Sequence, residues 1–154
     1  MRCESVDRFW ARFCAIEPSV DARTPYQVWY FGNTVEMAKE LADLVLSGRK
    51  TATASSAKMN EQEPENVPHL DGYSVVTDFL GEPMCVIQTV EVRQIAFEMV
   101  DAEFAADEGE GDLSLDHWRR VHWDYFTREA EKNGFEFHVN SIVCCERFRL
   151  LFPR

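Results

Sequence analysis

The sequence predicts an α+β domain: a small, mostly antiparallel curved sheet or barrel of about five to six strands, with helices around it. Three observations point there. Apolar residues recur with a helical period in three separate segments. The β-prone runs between them are joined by short turns of the kind that connect hairpins. Neither regular βαβ alternation nor a Gly-x-Gly-x-x-Gly turn is present, which sets a dinucleotide fold aside.

In chain order, Val6, Phe9, Trp10, Phe13 and Cys14 fall on one stripe of an amphipathic helix that Glu17-Pro18 stops. Its aromatic half reads as core laid across the main body. Ser19 to Pro25 is a polar connector, and Tyr26 to Phe31 a short strand. The next helix starts at an Asn33/Glu36 capping box and carries Val35, Ala38, Leu41, Ala42 and Val45 on its apolar stripe. Ala57 to Leu70, rich in Glu, Asn and Pro, reads as a surface loop. Tyr73 to Phe79 and Met84 to Val92 are strands linked through Leu80-Gly81-Glu82-Pro83. Val100 to Ala106 is a short helix that runs into an acidic loop, Asp107 to Asp112. Ser114 caps a third long helix with Leu115, Trp118, Val121, His122 and Tyr125 on one side, ending near Gly134. Phe135 to Val139 and Ile142 to Leu151 are the closing strands.

A chain of 154 residues with 45% hydrophobic content suffices for one well-buried core. No apolar run reaches the roughly 20 residues that span a bilayer, and the first residues lack the apolar centre of a signal peptide. A cytoplasmic location is expected. The five cysteines form no Cys-x-x-Cys pair and read as free thiols. His117 and His122, about 140° apart around a helix, are a poor clamp for one ion. The net charge of −11 disfavours long nucleic acid as a partner, because neutralised phosphates supply most of that affinity.

The most informative stretch is Gly48-Arg49-Lys50-Thr51-Ala52-Thr53-Ala54-Ser55-Ser56, where the second helix ends and a strand begins. Gly48 suits the left-handed residue past a helix end. One amine and several hydroxyls follow, with no bulky side chain among them. Residues three apart in a regular strand face opposite sides, so Lys50 and Thr53 converge only if Lys50 sits before the strand begins.

That helix ending in Gly-Arg-Lys-Thr-x-Thr, the hairpin with its Gly turn, the Glu108-Gly109-Glu110-Gly111-Asp112 loop before a Trp-containing helix, and Glu146-Arg147-Phe148 in the last strand together resemble the ASCH domain family. The resemblance implies a PUA-like β-barrel over residues 26–154, preceded by an N-terminal helical extension, 1–25. It implies binding of RNA or of a small nucleoside or nucleotide, and no membrane partner. It further implies a hydrolase, either ribonuclease-like or cleaving the amide of an N4-acylated cytidine; the alternative is a non-catalytic PUA-like RNA- or nucleotide-binding module. Carried over onto this sequence, the catalytic set is Lys50, Thr53 and Glu108, with Arg49, Thr51, Ser55, Tyr73 and Glu110 as substrate-binding residues. Where the short amidohydrolase branch has an Arg two positions after the Thr, this chain has Ser55.

The chemistry is coherent. Thr53 supplies a hydroxyl nucleophile, and Glu108 an acid or a holder of the cytosine amine. Lys50 is either a base, if desolvation lowers its pKa, or an ammonium that stabilises an oxyanion. Trp29 and Trp118, like Tyr73, can stack a base or simply fill core. No cofactor is expected, a divalent cation at Glu108, Glu110 and Asp112 being the alternative.

Overall fold

The computed structural model describes residues 3–153. Helix α1, Glu4–Ile16, buries Val6, Trp10 and Phe13 on one stripe, and the backbone leaves helical geometry at Glu17, ahead of Pro18. Trp10 stacks on Tyr26, ring centroids 4.2 Å apart, and meets Tyr73 edge-on at 5.8 Å. These rings join Val75, Val86 and Phe152 in one apolar cluster that fixes α1 to the sheet. Replacing Trp10 by Ala is expected to cost about 3–5 kcal/mol, read as a lowered urea midpoint.

Strand β1 is Tyr26–Trp29 and helix α2 is Val35–Leu46. The cap of α2 lies one residue beyond the expected one. The Thr34 hydroxyl, not Asn33, accepts from the Met37 amide at 3.1 Å, which leaves Glu36 out of register for a reciprocal bond. After α2 the chain turns through Gly48 at φ 83°. Strand β2, Ala52–Ser56, then begins two residues beyond Lys50, as convergence with Thr53 requires.

The expected loop after β2 contains a further helix, α3, Ala57–Gln62. Ser56 caps it by accepting from the Met59 amide, a signal hidden because the same serine ends β2. Strands β3, Tyr73–Thr77, and β4, Pro83–Ala96, form the expected hairpin. Asp101 and Ser114 cap α4, Ala102–Asp107, and α5, Leu115–Lys132. The last strand, β5, is Ile142–Phe152.

The sheet has five strands in the order β1-β3-β4-β5-β2, antiparallel except for the β1–β3 pair. Alternation along β3 and β4 sends Val75 and Val86 toward α1. Val76, Cys85 and Ile87 go to a separate cluster with Ala42 and Val45 of α2. Two expectations are corrected here. The sheet does not close into a barrel, because among the described residues β1 and β2 are unpaired with each other. Phe135 to Val139 is not a strand: β5 already has β4 on one side and β2 on the other, so no edge beside it is free. Phe137 instead plugs the core against Phe97 and Phe126.

The seam between β1 and β2 stays open, and two cavities, about 720 and 580 Å³, lie beside it. Both are walled by Phe31, by Thr53 and Ala54 of β2, and by Tyr125 of α5.

Candidate functional site

Lys50 is almost wholly buried, 1% exposed, and its ammonium is fully engaged. Nζ donates to the Ala52 carbonyl at 2.8 Å, to Glu108 Oε1 at 2.9 Å and to Glu110 Oε2 at 3.1 Å. It also lies 5.3 Å from the centre of the Phe31 ring. The two carboxylates arrive from a remote loop, which reaches Lys50 because Gly109 is a glycine. A Cβ at Gly109 would sit 2.2 Å from the Arg49 carbonyl oxygen, and its φ is 72°. The Thr51 amide donates to the Asp107 carbonyl at 2.8 Å and stitches the same two segments together.

Glu108 is as buried as Lys50 and serves three partners. Beyond Lys50 it accepts from the Trp118 indole N–H, and its Oε2 lies 3.2 Å from His122 Nε2. The other His122 nitrogen, Nδ1, is 2.8 Å from the Trp118 carbonyl, an acceptor that requires a proton there. With a carboxylate facing Nε2, the ring is set up as imidazolium. It stacks on Trp118 at 4.2 Å.

Burial disfavours every charge in this cluster, and the partners overcome it at Lys50, Glu108 and His122 but not at Glu110. For Lys50 the carboxylates of Glu108 and Glu110 outweigh burial and hold the amine above its ordinary value. Burial would raise the Glu108 carboxyl, but Lys50 and His122 hold it well below the usual range. Burial pushes Glu110 up, and the negative charge of Glu108 adds to that. For His122 burial is overcome by Glu108, and the imidazole is raised. Of the two roles open to Lys50, the ammonium is the one this geometry supports.

Thr53 is half-buried and lines both cavities. The side chain of Glu110, 20% exposed, faces the larger one together with Lys50 and Glu108. The remaining expected residues disperse. Arg49 is exposed and lines neither cavity. The Thr51 hydroxyl donates to the Asp107 carbonyl at 3.3 Å. Ser55 lines only the smaller cavity, where its hydroxyl accepts from Asn60. Tyr73 packs against Trp10 and Phe13 under α1, outside both cavities. Trp29 lines the smaller cavity, and Trp118 is buried.

Two residues here were not singled out from the sequence as part of a site. His122 shares one face of α5 with Trp118, a spacing that read as core, and nothing local says that the face meets the acidic loop. Glu146 lies opposite Thr53 in the β2–β5 ladder and accepts a short hydrogen bond from the Thr89 hydroxyl. Asp112 belongs elsewhere, accepting from the Ser114 amide at the start of α5. Among the described residues the set able to approach a metal is therefore Glu108, Glu110 and His122, whose ligand atoms lie within 4.8 Å of one another. The Lys50 ammonium already supplies the countercharge there, so a metal ion would have to displace it.

The profile of the ASCH domain family matches residues 27–151. The chain belongs to the ASCH domain family. A crystal structure of an ASCH domain from Lactobacillus crispatus JV V101 is similar, with 30% identity and a TM-score of 0.87, over 97% of this chain and 96% of that one. A protein from Enterococcus faecalis V583 is 32% identical with a TM-score of 0.85, over 96% of this chain and 88% of that one. No curated protein matches the chain. The ASCH domain is a PUA-like fold, an RNA-binding class. Among the described residues no helix is long and apolar enough to cross a membrane.

Proposed function

We propose that the larger seam cavity of this ASCH domain takes a single nucleoside and hydrolyses an amide on its base, as in an N4-acylated cytidine. The observation that carries the reading is the saturated Lys50 ammonium. All of its N–H groups have protein acceptors, and of these only Glu110 sits on the accessible side, on a loop flanked by glycines. A substrate carbonyl that takes the place of Glu110 receives a desolvated N–H donor where negative charge develops. The released Glu110 carboxylate, its proton affinity raised by burial, accepts the proton of the Thr53 hydroxyl as Thr53 Oγ attacks the carbonyl carbon. The same proton passes to the departing exocyclic nitrogen as the C–N bond breaks. Water then hydrolyses the Thr53 ester by the reverse route and releases the acid. Glu108 stays ionised and fixes Lys50 and His122.

A volume of about 720 Å³ suits one nucleoside, and the net charge of −11 argues in the same direction. A second reading, non-catalytic binding of RNA, is favoured by one feature. His117, Arg120 and Arg128 line this cavity along one face of α5, and although Arg128 pairs with Asp124 at 3.0 Å, the group offers N–H donors to a phosphate.

Incubating the protein with N4-acetylcytidine, and in parallel with single-stranded RNA, separates the readings. Release of cytidine and acetate is expected, with kcat reduced about 10³-fold or more by Thr53→Val while KM changes little. RNA cleavage, or binding of either compound without turnover, would replace the proposal.

A further inference from the structure

The smaller cavity, about 580 Å³, has a chemistry of its own. Its lining includes Glu63, Glu129 and Glu146 but, among the described residues, no Lys, Arg or His. Glu146 is 6% exposed, and its carboxylate has the Thr89 hydroxyl as a partner but no cation within salt-bridge distance among the described residues. Burial pushes its carboxyl up, the Thr89 hydroxyl and the Lys50 charge offset this only in part, and a cation in the cavity would favour the ionised form. The same lining includes four aromatic side chains, Trp29, Tyr30, Phe31 and Tyr125. These carboxylates do not converge as metal ligands: among the described residues the set that does is Glu108, Glu110 and His122. Carboxylates and aromatic rings in one lining fit a larger, softer cation.

We propose that this second cavity is a subsite for a small organic ammonium group, held by Glu63, Glu129 and Glu146 among the aromatic side chains of its lining. The inference stands apart from the amide-hydrolysis reading, since none of the three glutamates belongs to the Lys50 cluster. The two cavities share Thr53, Ala54 and Tyr125, so one ligand can carry a group into each.

The subsite is pH-sensitive. The groups facing Glu129 are Glu63, from the segment after α3, and the Tyr125 hydroxyl on its own helix. Burial first, and then the charge of Glu63, push the Glu129 carboxyl up to about 7. Its folded-state pKa is raised, so the associated stability is present in acid and is lost as pH rises through about 7. A bound ammonium ion offsets the charge that appears there, so affinity rises over the same interval.

The test is calorimetric titration with choline and with n-butylammonium, against the neutral isostere 3,3-dimethylbutanol and against magnesium chloride alone. Either ammonium probe is expected to bind saturably, about tenfold more tightly at pH 8 than at pH 6. Glu129→Gln should weaken it about tenfold at pH 8 and raise Tm there but not at pH 5. Glu131→Gln, the same charge change on the exposed face of α5, should alter affinity less than twofold. The proposal is overturned if the neutral isostere binds as well, if Glu131→Gln weakens binding as much as Glu129→Gln, if magnesium alone saturates the site, or if neither ammonium probe binds.

Discussion

Replacing Lys50 by Met is expected to destabilise the domain by about 3–5 kcal/mol at neutral pH, the cost of leaving a buried carboxylate without its partner. Met preserves most of the volume, so the loss reports charge rather than a cavity. Adding Glu108→Gln should restore at least half of that loss, because the substituted amide carries no charge and its oxygen still accepts from the Trp118 indole. The pH dependence carries a sign. In the parent protein Lys50 and His122 depress the Glu108 carboxyl against the pull of burial. That contribution is present above the ordinary carboxylate range and lost as pH falls through the depressed value. Without Lys50 burial dominates, Glu108 takes up a proton more readily, and the deficit of Lys50→Met should shrink toward acid. Urea titrations of the parent, the single variant and the double variant at pH 5 and pH 8 read both effects.

Gly109→Ala is expected to be nearly as damaging, about 3 kcal/mol, although it adds a single methyl group. Left-handed backbone in a non-glycine residue costs roughly 1–2 kcal/mol by itself. Here the methyl would also lie 2.2 Å from the Arg49 carbonyl oxygen, an atom of the backbone that cannot swing away. Relief requires the acidic loop to withdraw from the segment that carries Lys50, which separates the ammonium from both carboxylates. Gly48→Ala is the informative contrast: its φ of 83° is equally unfavourable, but a Cβ there meets nothing within 4 Å. It should cost only the backbone strain.

Much of the fold was legible in the sequence because its signals are local. The stripe from Val6 to Phe13, the Ser114 cap and the Gly48 stop each act within a turn or two of chain, and the structure places them as read. Family resemblance joined Lys50 to the acidic loop, and the geometry brings Lys50, Thr53 and Glu108 to one cavity. What escaped was non-local. Phe135 to Val139 alternates like a strand, but strand formation needs a free edge, and β5 leaves none. The open seam is likewise a property of which strands pair, not of any one strand. His122 reads as a core residue of α5 until the loop bearing Glu108 folds against it. Tyr73 has the ring of a base-stacking residue, yet the neighbouring α1 claims it for the core.

A buried ammonium clamped by two carboxylates is the centre of the site, and nitrogen-edited proton NMR of the Lys50 side chain tests that directly. The expected result is a slowly exchanging ammonium resonance that persists throughout the neutral and mildly alkaline range, because Glu108 and Glu110 hold the amine above its ordinary value. Loss of that resonance near neutral pH, with an amine titrating there, would mean that burial rather than ion pairing sets its charge, and the site described here would be wrong.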